Sequence, residues 1–556
     1  MFSAWRIGNF KAFGESQLIP LRPLTLIYGQ NSAGKSSVLH SLVLARHALE
    51  TGEFDVRLAN IGEESFDLGG FGQYVHRREA NRRVDLTLEF EASAFSERLG
   101  AFFKPRRKVA LSLYIGVGLD HQFRSLPTSS ADLCAYALIV DDKTLFSLYR
   151  RRDGQLQLED LDSRHPVFQE AAKALIPLSA TAGTIRPKDS EVMDEVIREL
   201  ALEMTADGSR FLSGGLTKSV GFGADGLDEI VPVDQANREK SLREAFSLFL
   251  PFWVDKVLKG VGQIVAEELS KLRYMGPLRS CPPRRLILSQ RSARNWPDGL
   301  GFAWDTVRQD AGVRKLVNEW LSAPDRLQTP YELILRDLVG PDLVEVEQLA
   351  ESLRFDQSEA NLAPGVVGGL WPPASLSALQ DPANKGAESL RNLRRSPSHD
   401  QFEELLMIDR RSNTAVSPRD VGIGVSQVLP VLATVFASKN QLVAIEQPEV
   451  CLHPALQAEL ADVFINSALG PNKNRFLLET HSELLLLRLM RRMRETEANE
   501  LPPGAPPVTP EDVGVLFVQP HETSSMVLQM ELNSEGHLVG QWPGGFFEEG
   551  CRELFA

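Results

Sequence analysis

The sequence predicts an α/β fold, in which short buried strands are each followed by a polar loop and then by a helix. Three stretches support this prediction. The strand Leu24–Ile27 leads to a glycine-containing loop and a helix, Leu442–Ile445 leads to a helix from Ala455, and the strand from Arg475 leads to a turn and another helix. Strands that alternate with helices predict a largely parallel sheet. Because a chain of 556 residues exceeds one ordinary core, we expect several subdomains.

Composition and charge narrow the class of protein. With 43% hydrophobic residues the chain can bury a globular core, but no apolar run approaches the ~20 residues that span a bilayer, and the N-terminus lacks the apolar segment of a signal peptide. The net charge of −14 argues against a general polyanion binder, although it allows a local basic groove. The four cysteines are far apart in the sequence, without a C-x-x-C pair, which is typical of buried thiols in a reducing cytosol. We therefore expect a cytoplasmic protein that does not contact membranes.

The first strand is followed by a phosphate-binding motif. Gly29–Ser36 matches the pattern G-x-x-x-x-G-K-[ST], and apolar residues at helical spacing follow it. Backbone N–H groups of such a loop, together with the helix N-terminus, present positive charge to phosphates. Lys35 would reach the β- and γ-phosphates, and the Ser36 hydroxyl would sit on Mg²⁺. The predicted nucleotide-binding residues are Gly29, Gln30, Asn31, Ser32, Ala33, Gly34, Lys35, Ser36 and Ser37.

Further motifs lie at both ends of the chain. Two short strands precede the phosphate-binding loop, and the first ends in Asn9-Phe10-Lys11. In the second half, Glu446-Gln447-Pro448-Glu449 and Leu452-His453-Pro454 follow one buried strand, and Thr480-His481-Ser482 follows the next. In these motifs the chain resembles the SMC/RecF/OLD group of ABC-type ATPases.

This resemblance covers about residues 1–95 and 270–556, and it implies a P-loop NTPase head of the ABC type. Such a head has a mixed sheet with a flanking antiparallel β-layer, and it uses ATP and Mg²⁺. The strands expected for that layer are Val109–Val117, Ala135–Val140 and Thr144–Tyr149. From Ser190 to Leu272 the pattern is mostly helical but is interrupted by glycine and proline. We therefore expect a helical insertion in place of a long coiled coil.

The resemblance also implies roles for individual residues. Glu446 stands where the family has a Walker B aspartate, and it would hold Mg²⁺ through water. Gln447 occupies the place of the catalytic glutamate, but a glutamine can only orient a water and cannot accept its proton. Glu449 is then the nearest substitute base, or else it only anchors the loop. His481 would contact the γ-phosphate, and Gln73 would contact Mg²⁺ and the attacking water unless it is simply a turn residue facing solvent.

A loop in the position of the ABC signature suggests self-association. Residues 420–427 precede an apolar helix, Val428–Phe436, and read Gly-Val-Ser-Gln where the family has Ser-Gly-Gly-Gln. Gly424 and Ser426 would offer N–H and hydroxyl groups to a γ-phosphate that, in the family, belongs to the other protomer. The resemblance therefore implies a head-to-head dimer or a higher oligomer. Arg279 belongs to a Gly-Pro-Leu-Arg turn, which assigns it to the nucleotide or dimer interface; the alternative is a turn arginine paired with a carboxylate.

The chain is expected to divide into five segments. The long polar stretch Gln357–His399 predicts a loop, and the ending Trp542–Phe547 resembles a segment appended to bacterial ATPases of this kind. The division is an N-terminal half of the head over 1–95, a β-layer and helical insertion over 96–270, a linker or insertion with a flexible loop over 271–400, a C-terminal half of the head over 401–500, and an appended C-terminal segment over 501–556.

Two functional hypotheses follow, with a third that is weaker. The resemblance implies an ATP-driven or ATP-gated dimer that senses nucleic acid or a foreign protein and controls a separate effector, as in bacterial anti-phage defence. Because no Toprim segment, H-N-H pair or P-D/E-x-K arrangement stands out, we expect any nuclease or toxin to be a separate polypeptide. Gln447 favours instead a non-hydrolysing, ATP-gated scaffold, and a RecF-like repair ATPase is the third alternative.

Basic side chains leave one further question open. The clusters Arg77–Arg83 and Lys104–Lys108 either contact a DNA backbone or a partner, or they are solvated surface. The arginine run Arg488–Arg494 predicts a solvated helix face.

Overall fold

A computed structural model describes residues 2–56, 67–91, 108–117, 131–151, 153–175, 187–206, 211–212, 215–217, 236–279, 300–323, 326–339 and 401–547. The loop predicted over 357–399, Cys281, Cys551 and the basic residues 104–107 lie outside these ranges. The strands are β1 Phe2–Gly8, β2 Gln17–Pro20, β3 Leu24–Gly29, β4 Val84–Glu91, β5 Lys108–Val117, β6 Ala131–Val140, β7 Lys143–Arg150, β8 Leu156–Leu161, β9 Thr205–Ala206, β10 Leu272–Met275, β11 Tyr331–Val339, β12 Gln401–Asp409, β13 Thr414–Val416, β14 Leu442–Glu446, β15 Arg475–Glu479, β16 Val513–His521, β17 Ser524–Leu532 and β18 Leu538–Val539. The helices are α1 Lys35–Thr51, α2 Phe71–Tyr74, α3 Pro166–Leu175, α4 Pro187–Ala201, α5 Arg238–Ser270, α6 Leu300–Gln309, α7 Ala311–Ser322, α8 Ile423–Ala437, α9 Pro454–Leu469 and α10 Glu483–Glu497.

A mixed central sheet carries the phosphate-binding loop. Its strand order is β10-β14-β15-β3-β16-β17-β18. The first five strands are parallel, and β17 and β18 add an antiparallel edge. Parallel strands end at the same edge of a sheet, which is where open α/β folds bind ligands. The loops after β3, β14 and β15 therefore meet at one edge, and the predicted α/β fold with a mixed sheet is confirmed.

The central sheet separates two hydrophobic cores. In β3, Leu24, Leu26 and Tyr28 point into one core and Ile27 points into the other, as the two-residue period of a strand requires. One core contains α1, α5 and the β-layer, and the other contains α8, α9 and α10. Because both faces are covered, the parallel strands read as continuous apolar runs in the sequence.

The flanking layer is an eight-stranded antiparallel sheet. Its order is β2-β1-β4-β5-β6-β7-β8-β9, and it contains all three strands that the sequence predicted for it. The layer crosses the expected division at residue 95, because β4 pairs with β5 from Val84↔Ile115 to Glu91↔Lys108. The five-segment division itself stays a prediction.

Helix α5 is the long element of the insertion. It has 33 residues, and side chains from Leu242 to Leu269 are buried against the β-layer and α1. It is thus a core helix, and the insertion is helical in place of a long coiled coil, as the sequence predicted. Neither α5 nor any other helix in the described part of the chain is long and apolar enough to cross a membrane.

The C-terminal segment packs against the strand that leads into the phosphate-binding loop. Trp542 and Phe547 each contact the Tyr28 ring with centroids 5.5 Å apart, in edge-to-face geometry. Phe546 packs on Phe517 of β16 at 5.2 Å. Edge-to-face aromatic pairs contribute about 0.5–1.5 kcal/mol each beyond the area that they bury. This segment therefore belongs to the core of the head.

Hydrogen bonds also tie the C-terminal hairpin to the N-terminus. The backbone N–H of Val527 donates to Gln17 Oε1 at 2.9 Å, across 510 residues of sequence. The N–H of Ser525 donates to the Ala12 carbonyl at 2.9 Å. Strand β16 itself lies beside β3 in parallel register, from Val513↔Leu24 to Val518↔Gly29. The first and last described parts of the chain thus form one structural unit.

Candidate nucleotide-binding site

Two glycines set the path of the phosphate-binding loop. Gly29 has φ 144° and Gly34 has φ 99°, in the region that side chains rarely adopt. A Cβ on Gly29 would lie 2.1 Å from the Val518 carbonyl oxygen, and one on Gly34 would lie 2.4 Å from the Ala12 Cβ. Both positions therefore exclude larger residues. The part of the loop between them, residues 30–32, is exposed.

Lys35 is a buried cation at the beginning of α1. Its side chain is only 4% exposed, and Nζ donates to the carbonyl oxygens of Gly29 at 3.1 Å and Gln30 at 2.9 Å. Burial lowers the pKa of Lys35, while the charges of Glu479 and Glu449 oppose this change. The ammonium group thus lies against the inner side of the loop, where a phosphate could replace the carbonyl oxygens as its partner.

Two carboxyl groups end neighbouring strands in register. Glu446 of β14 pairs with Glu479 of β15, and both are buried. The Ser36 hydroxyl donates to Glu479, but burial and the charge of Glu446 prevail and raise the pKa of Glu479 to about 7. Glu479 was missed by the sequence analysis, although a second acidic residue at a parallel strand end was a visible signal for it.

Glu446 is held in its ionised form by three other side chains. Burial opposes its ionisation, yet hydrogen bonds from His40 and Tyr274, with the nearby charge of Lys11, keep its pKa below the usual value. Tyr274 donates to Glu446 Oε1 at 2.8 Å, and His40 Nε2 lies 2.9 Å from the same oxygen. Lys11 Nζ lies 2.6 Å from His40 Nδ1; because an ammonium can only donate, Nδ1 accepts and Nε2 donates to Glu446. These three residues come from distant parts of the chain, so no local motif could indicate them.

The donor set fits a hard divalent cation. Ser36 and the two carboxyl groups supply oxygens, and Glu479 Oε2 is buried with no hydrogen-bond partner among the described residues. Mg²⁺ prefers oxygen ligands and is usually held by one or two carboxylates together with phosphate oxygens and water. Within the described ranges, no cluster of three or more His, Cys, Asp or Glu side chains could hold a metal alone. The predicted ligands Ser36 and Glu446 thus suit Mg²⁺ that arrives with a nucleotide.

The loop after β14 brings the predicted catalytic residues beside this set. Gln447 has φ 44°, its N–H donates to the Glu479 carbonyl at 2.7 Å, and its side chain is partly exposed. Glu449 is buried, and its Oε1 accepts from the His481 N–H at 2.7 Å. Burial raises the pKa of Glu449, although hydrogen bonds from His481, Thr480 and its own backbone oppose this. Glu449 thus connects the two loops, which is the anchoring role considered above; its role as a base stays a prediction.

His481 lies in a turn after β15 that several hydrogen bonds hold in place. Tyr28 Oη donates to the Ser482 carbonyl at 2.9 Å, and Ser482 Oγ caps α10 by accepting from the Leu485 N–H. The Thr480 N–H donates to the Ile27 carbonyl at 3.1 Å. Burial and the charge of Lys35 lower the pKa of His481. The structure therefore keeps this imidazole neutral and near Lys35.

The signature-like residues belong to a helix and not to a loop. Helix α8 begins at Ile423, so the predicted beginning at Val428 was wrong; Gly422, in extended conformation, is its N-cap. Ser426 is buried, and its hydroxyl donates to the Ile423 carbonyl at 2.9 Å. A Cβ on Gly424 would lie 2.7 Å from the Cys451 carbonyl oxygen. The glycine thus allows α8 to approach the loop that follows Gln447.

The structure also bears on three other predictions, which concern Gln73, Cys451 and the arginines of α10. Gln73 is exposed and accepts a hydrogen bond from the Gly70 N–H at 2.8 Å within its own turn, which is the solvent-facing alternative. Cys451 is exposed, so its predicted burial was wrong; φ 63° places it at the tip of a turn. Arg488 and Arg492 both bind Asp462 and are only 12% and 11% exposed, so the predicted solvated face was wrong for them.

The glycine loop after β3, the buried Lys35 and the loops that meet at the same edge of the mixed sheet define a P-loop nucleotide-binding fold, as the sequence predicted. Residues 271–488 match the family described as "AAA domain, putative AbiEii toxin, Type IV TA system". Residues 508–556 match a family described as "Protein of unknown function (DUF3696)".

Solved structures of SMC heads are among the similar folds. The SMC head bound to the C-terminal winged-helix domain of ScpA is 9% identical, with a TM-score of 0.35, over 96% of this chain and 98% of that one. The SMC head from Thermotoga maritima is 9% identical, with a TM-score of 0.31, over 96% and 99% of the two chains. No curated protein sequence matches this chain.

Proposed function

We propose that this protein binds ATP with Mg²⁺, hydrolyses it slowly, and acts as a dimer that controls a separate effector, a nuclease or toxin, in bacterial anti-phage defence. The single observation that carries the proposal is the contrast at the end of β14. Lys35, Ser36 and Glu446 are present and buried or half-buried around one edge of the sheet, whereas Gln447 supplies an amide where a proton acceptor is expected.

The chemistry follows from these side chains. Lys35 meets phosphate oxygens, and Ser36 and Glu446 hold Mg²⁺, which neutralises phosphate charge. The His40 and Tyr274 hydrogen bonds orient Glu446 and keep it ionised. Gln447 orients a water but cannot take its proton. General-base catalysis contributes roughly 10²–10⁴-fold, so its loss predicts slow turnover and not an inactive site.

Self-association is supported by the surface around α8. Ile423, at the first turn of the helix, is 64% exposed, and Leu278, next to Arg279, is 67% exposed. Exposed apolar side chains beside a helix N-terminus suit a surface that a second copy covers. The helix N-terminus also offers partial positive charge to a phosphate of that copy.

A separate effector is supported by the family description. The matched family is described with a toxin of a type IV toxin–antitoxin system, and the resemblance implies stand-alone heads in defence systems. We place the protein in the cytoplasm with a protein partner. Nucleic acid is a further candidate ligand through Arg78 and Arg83, since Arg77 and Arg82 both pair with Glu79, at 3.9 Å and 2.6 Å. A RecF-like repair role would use the same contacts.

The second candidate is an ATP-gated scaffold that does not hydrolyse, and Gln447 favours it. Both candidates require nucleotide binding. Lys35→Ala should abolish the rise in Tm that Mg-ATP produces, because it removes the cation at the loop. The exposed Lys315 provides the control, and Lys315→Ala should keep the rise. An undiminished rise in Lys35→Ala would contradict both candidates.

Turnover separates the two candidates. We expect slow hydrolysis in the wild type and a gain of roughly 10²-fold or more in Gln447→Glu, because a carboxylate restores the proton acceptor. Glu449→Gln tests the other base. If it abolishes turnover while Gln447→Glu changes nothing, Glu449 is the base and the enzyme hypothesis holds. A fast wild-type rate that neither change alters would refute both residue assignments.

A further inference from the structure

Arg279 is the buried cation nearest to the end of the Walker B strand. It follows β10 through the turn Gly276–Leu278, and its side chain is only 2% exposed. Nη2 donates to the carbonyl oxygens of Glu446 at 2.7 Å and Gln447 at 3.1 Å. Its guanidinium thus binds the two peptide groups at the point where β14 ends. Its predicted place at the nucleotide or dimer interface stays a prediction.

The same residue is joined to the signature-like helix. The Gln427 side chain of α8 accepts from the Arg279 N–H at 3.0 Å and donates through Nε2 to the Arg279 carbonyl at 2.6 Å. This two-point pairing fixes both the position and the orientation of the Arg279 backbone. Gln427 is itself buried. A continuous path of hydrogen bonds therefore runs from α8 through Arg279 to the Gln447 peptide.

The Gln447 backbone depends on this support. Its φ of 44° is in the left-handed region, which a residue other than glycine keeps only when its surroundings hold it. The Gln447 N–H donates to the Glu479 carbonyl, and the Gln447 carbonyl accepts from both Arg279 and the Val450 N–H, each at 3.1 Å. The loss of Arg279 would leave the Gln447 carbonyl with only the Val450 N–H of its own turn, and without a partner from α8 or β10.

Two nitrogen atoms of the Arg279 side chain donate no hydrogen bond within the described part of the chain. Nε and Nη1 are buried without a hydrogen-bond partner among the described residues, and Glu449 Oε2 is in the same condition. Burial lowers the pKa of Arg279 to about 10, and the charges of Glu449 and Glu446 oppose this change. The group therefore stays charged at neutral pH, with donors left over for a second arrangement of the loop.

We propose that Arg279 is a positioning residue that couples α8 to Gln447, so that a displacement of α8 reorients the Gln447 side chain. The proposal rests on the proposed function for its effect on turnover, but its structural part does not. If a second copy contacts α8 in the ATP-bound dimer, this path transmits that contact to the residue that orients the attacking water. Dimer closure and hydrolysis would then be linked within one protomer.

Hydrogen exchange tests the structural part. Arg279→Gln removes the charge and the paired contacts to both carbonyls, and Gln427→Ala disconnects α8 while leaving the guanidinium in place. Both variants should speed amide exchange in the peptide that spans Gln447 to Cys451, with or without ATP. Arg273→Gln is the matched control, since Arg273 is in β10, the strand that leads to Arg279, but stacks on Phe302 with 4.5 Å between guanidinium carbon and ring centroid. It should leave that exchange unchanged.

Turnover tests the functional part. A displacement of the water-orienting group of about 1 Å costs on the order of 10²-fold in rate, so kcat should fall by about that factor in Arg279→Gln while the Kd for ATP stays near the wild-type value. Arg279→Lys, which keeps the charge, should recover part of kcat. The double variant with Gln427→Ala should lose no more than Arg279→Gln alone, because both act through one path.

The outcomes separate the two proposals. Unchanged exchange in Arg279→Gln, or equal acceleration in Arg273→Gln, overturns the coupling, whatever the wild-type rate. A wild type without ATP turnover refutes slow hydrolysis but leaves the exchange result to decide the coupling. If Arg279→Gln does not fold, Gln427→Ala decides alone: faster loop exchange supports the coupling, and wild-type exchange refutes it.

Discussion

Glu479 makes the stability of the head depend on pH. In the unfolded chain this carboxyl loses its proton near its ordinary value of 4.5, whereas in the folded protein burial and the charge of Glu446 raise its pKa to about 7. The folded state therefore binds more protons between these values, and its stability falls as the pH rises through this window. The contribution is complete below pH 4.5 and lost above pH 7.

The size of the effect follows from the same values. Each factor of ten in proton affinity corresponds to 1.36 kcal/mol, so ionised Glu479 costs the folded protein about 3 kcal/mol at pH 8. Glu479→Gln keeps the shape and removes the charge. Because part of this cost is already present at pH 5, the stability difference between this variant and the wild type should grow by about 2–3 kcal/mol from pH 5 to pH 8. If all 556 residues unfold as one unit, this corresponds to about 2–3 °C in Tm.

The assay is thermal unfolding of the nucleotide-free protein in EDTA at pH 5, 6, 7 and 8. The Tm of Glu479→Gln relative to the wild type should rise steadily up to pH 7 and then level off. Glu319→Gln is the matched control, because that carboxyl is 58% exposed, and its Tm should follow the wild type throughout. A constant difference between Glu479→Gln and the wild type at all four pH values would refute the raised pKa of Glu479.

Two further predictions concern the metal site and self-association. Tyr274→Phe removes one hydrogen-bond donor to Glu446, so the Mg²⁺ concentration for half-maximal turnover should rise by roughly 10-fold. Nucleotide binding without Mg²⁺ should stay unchanged. An unaltered Mg²⁺ titration of turnover would contradict this prediction. Ile423→Arg should weaken ATP-dependent self-association by roughly 10–100-fold, because burying an isoleucine contributes about 1.5–3 kcal/mol. Sedimentation velocity with and without Mg-ATP measures it, and wild-type association in the variant would exclude this surface.

The sequence could predict the parts of the site that follow strand ends. Lys35, Glu446 and His481 each come just after or at the end of a short apolar run, and parallel strands place their carboxyl ends at one edge. The short apolar runs and the glycine motif were therefore enough to place these residues at one edge of the sheet. Glu479 required one more step, the register between β14 and β15, which a single sequence does not specify.

Other parts of the site depend on tertiary packing and have no local signal. Lys11, His40 and Tyr274 meet at Glu446 from a turn, a helix and an edge strand. The solvated face predicted for the arginine run was wrong for the same reason. Arg488 and Arg492 bind Asp462, which is on the neighbouring helix α9. Helical periodicity describes one helix alone and cannot indicate which neighbour covers it.

The place of β16 beside β3 has a consequence for biosynthesis. Strand β3 is made long before β16, the neighbour that completes one of its sides, and the hydrogen bond from Val527 to Gln17 closes over 510 residues. At a synthesis rate of about 5–20 residues per second, β3 waits for tens of seconds with an open edge. Such an edge is prone to pair wrongly. A nascent chain therefore cannot complete the sheet around its nucleotide site until β16 has been made, and chaperone binding during that interval would protect β3.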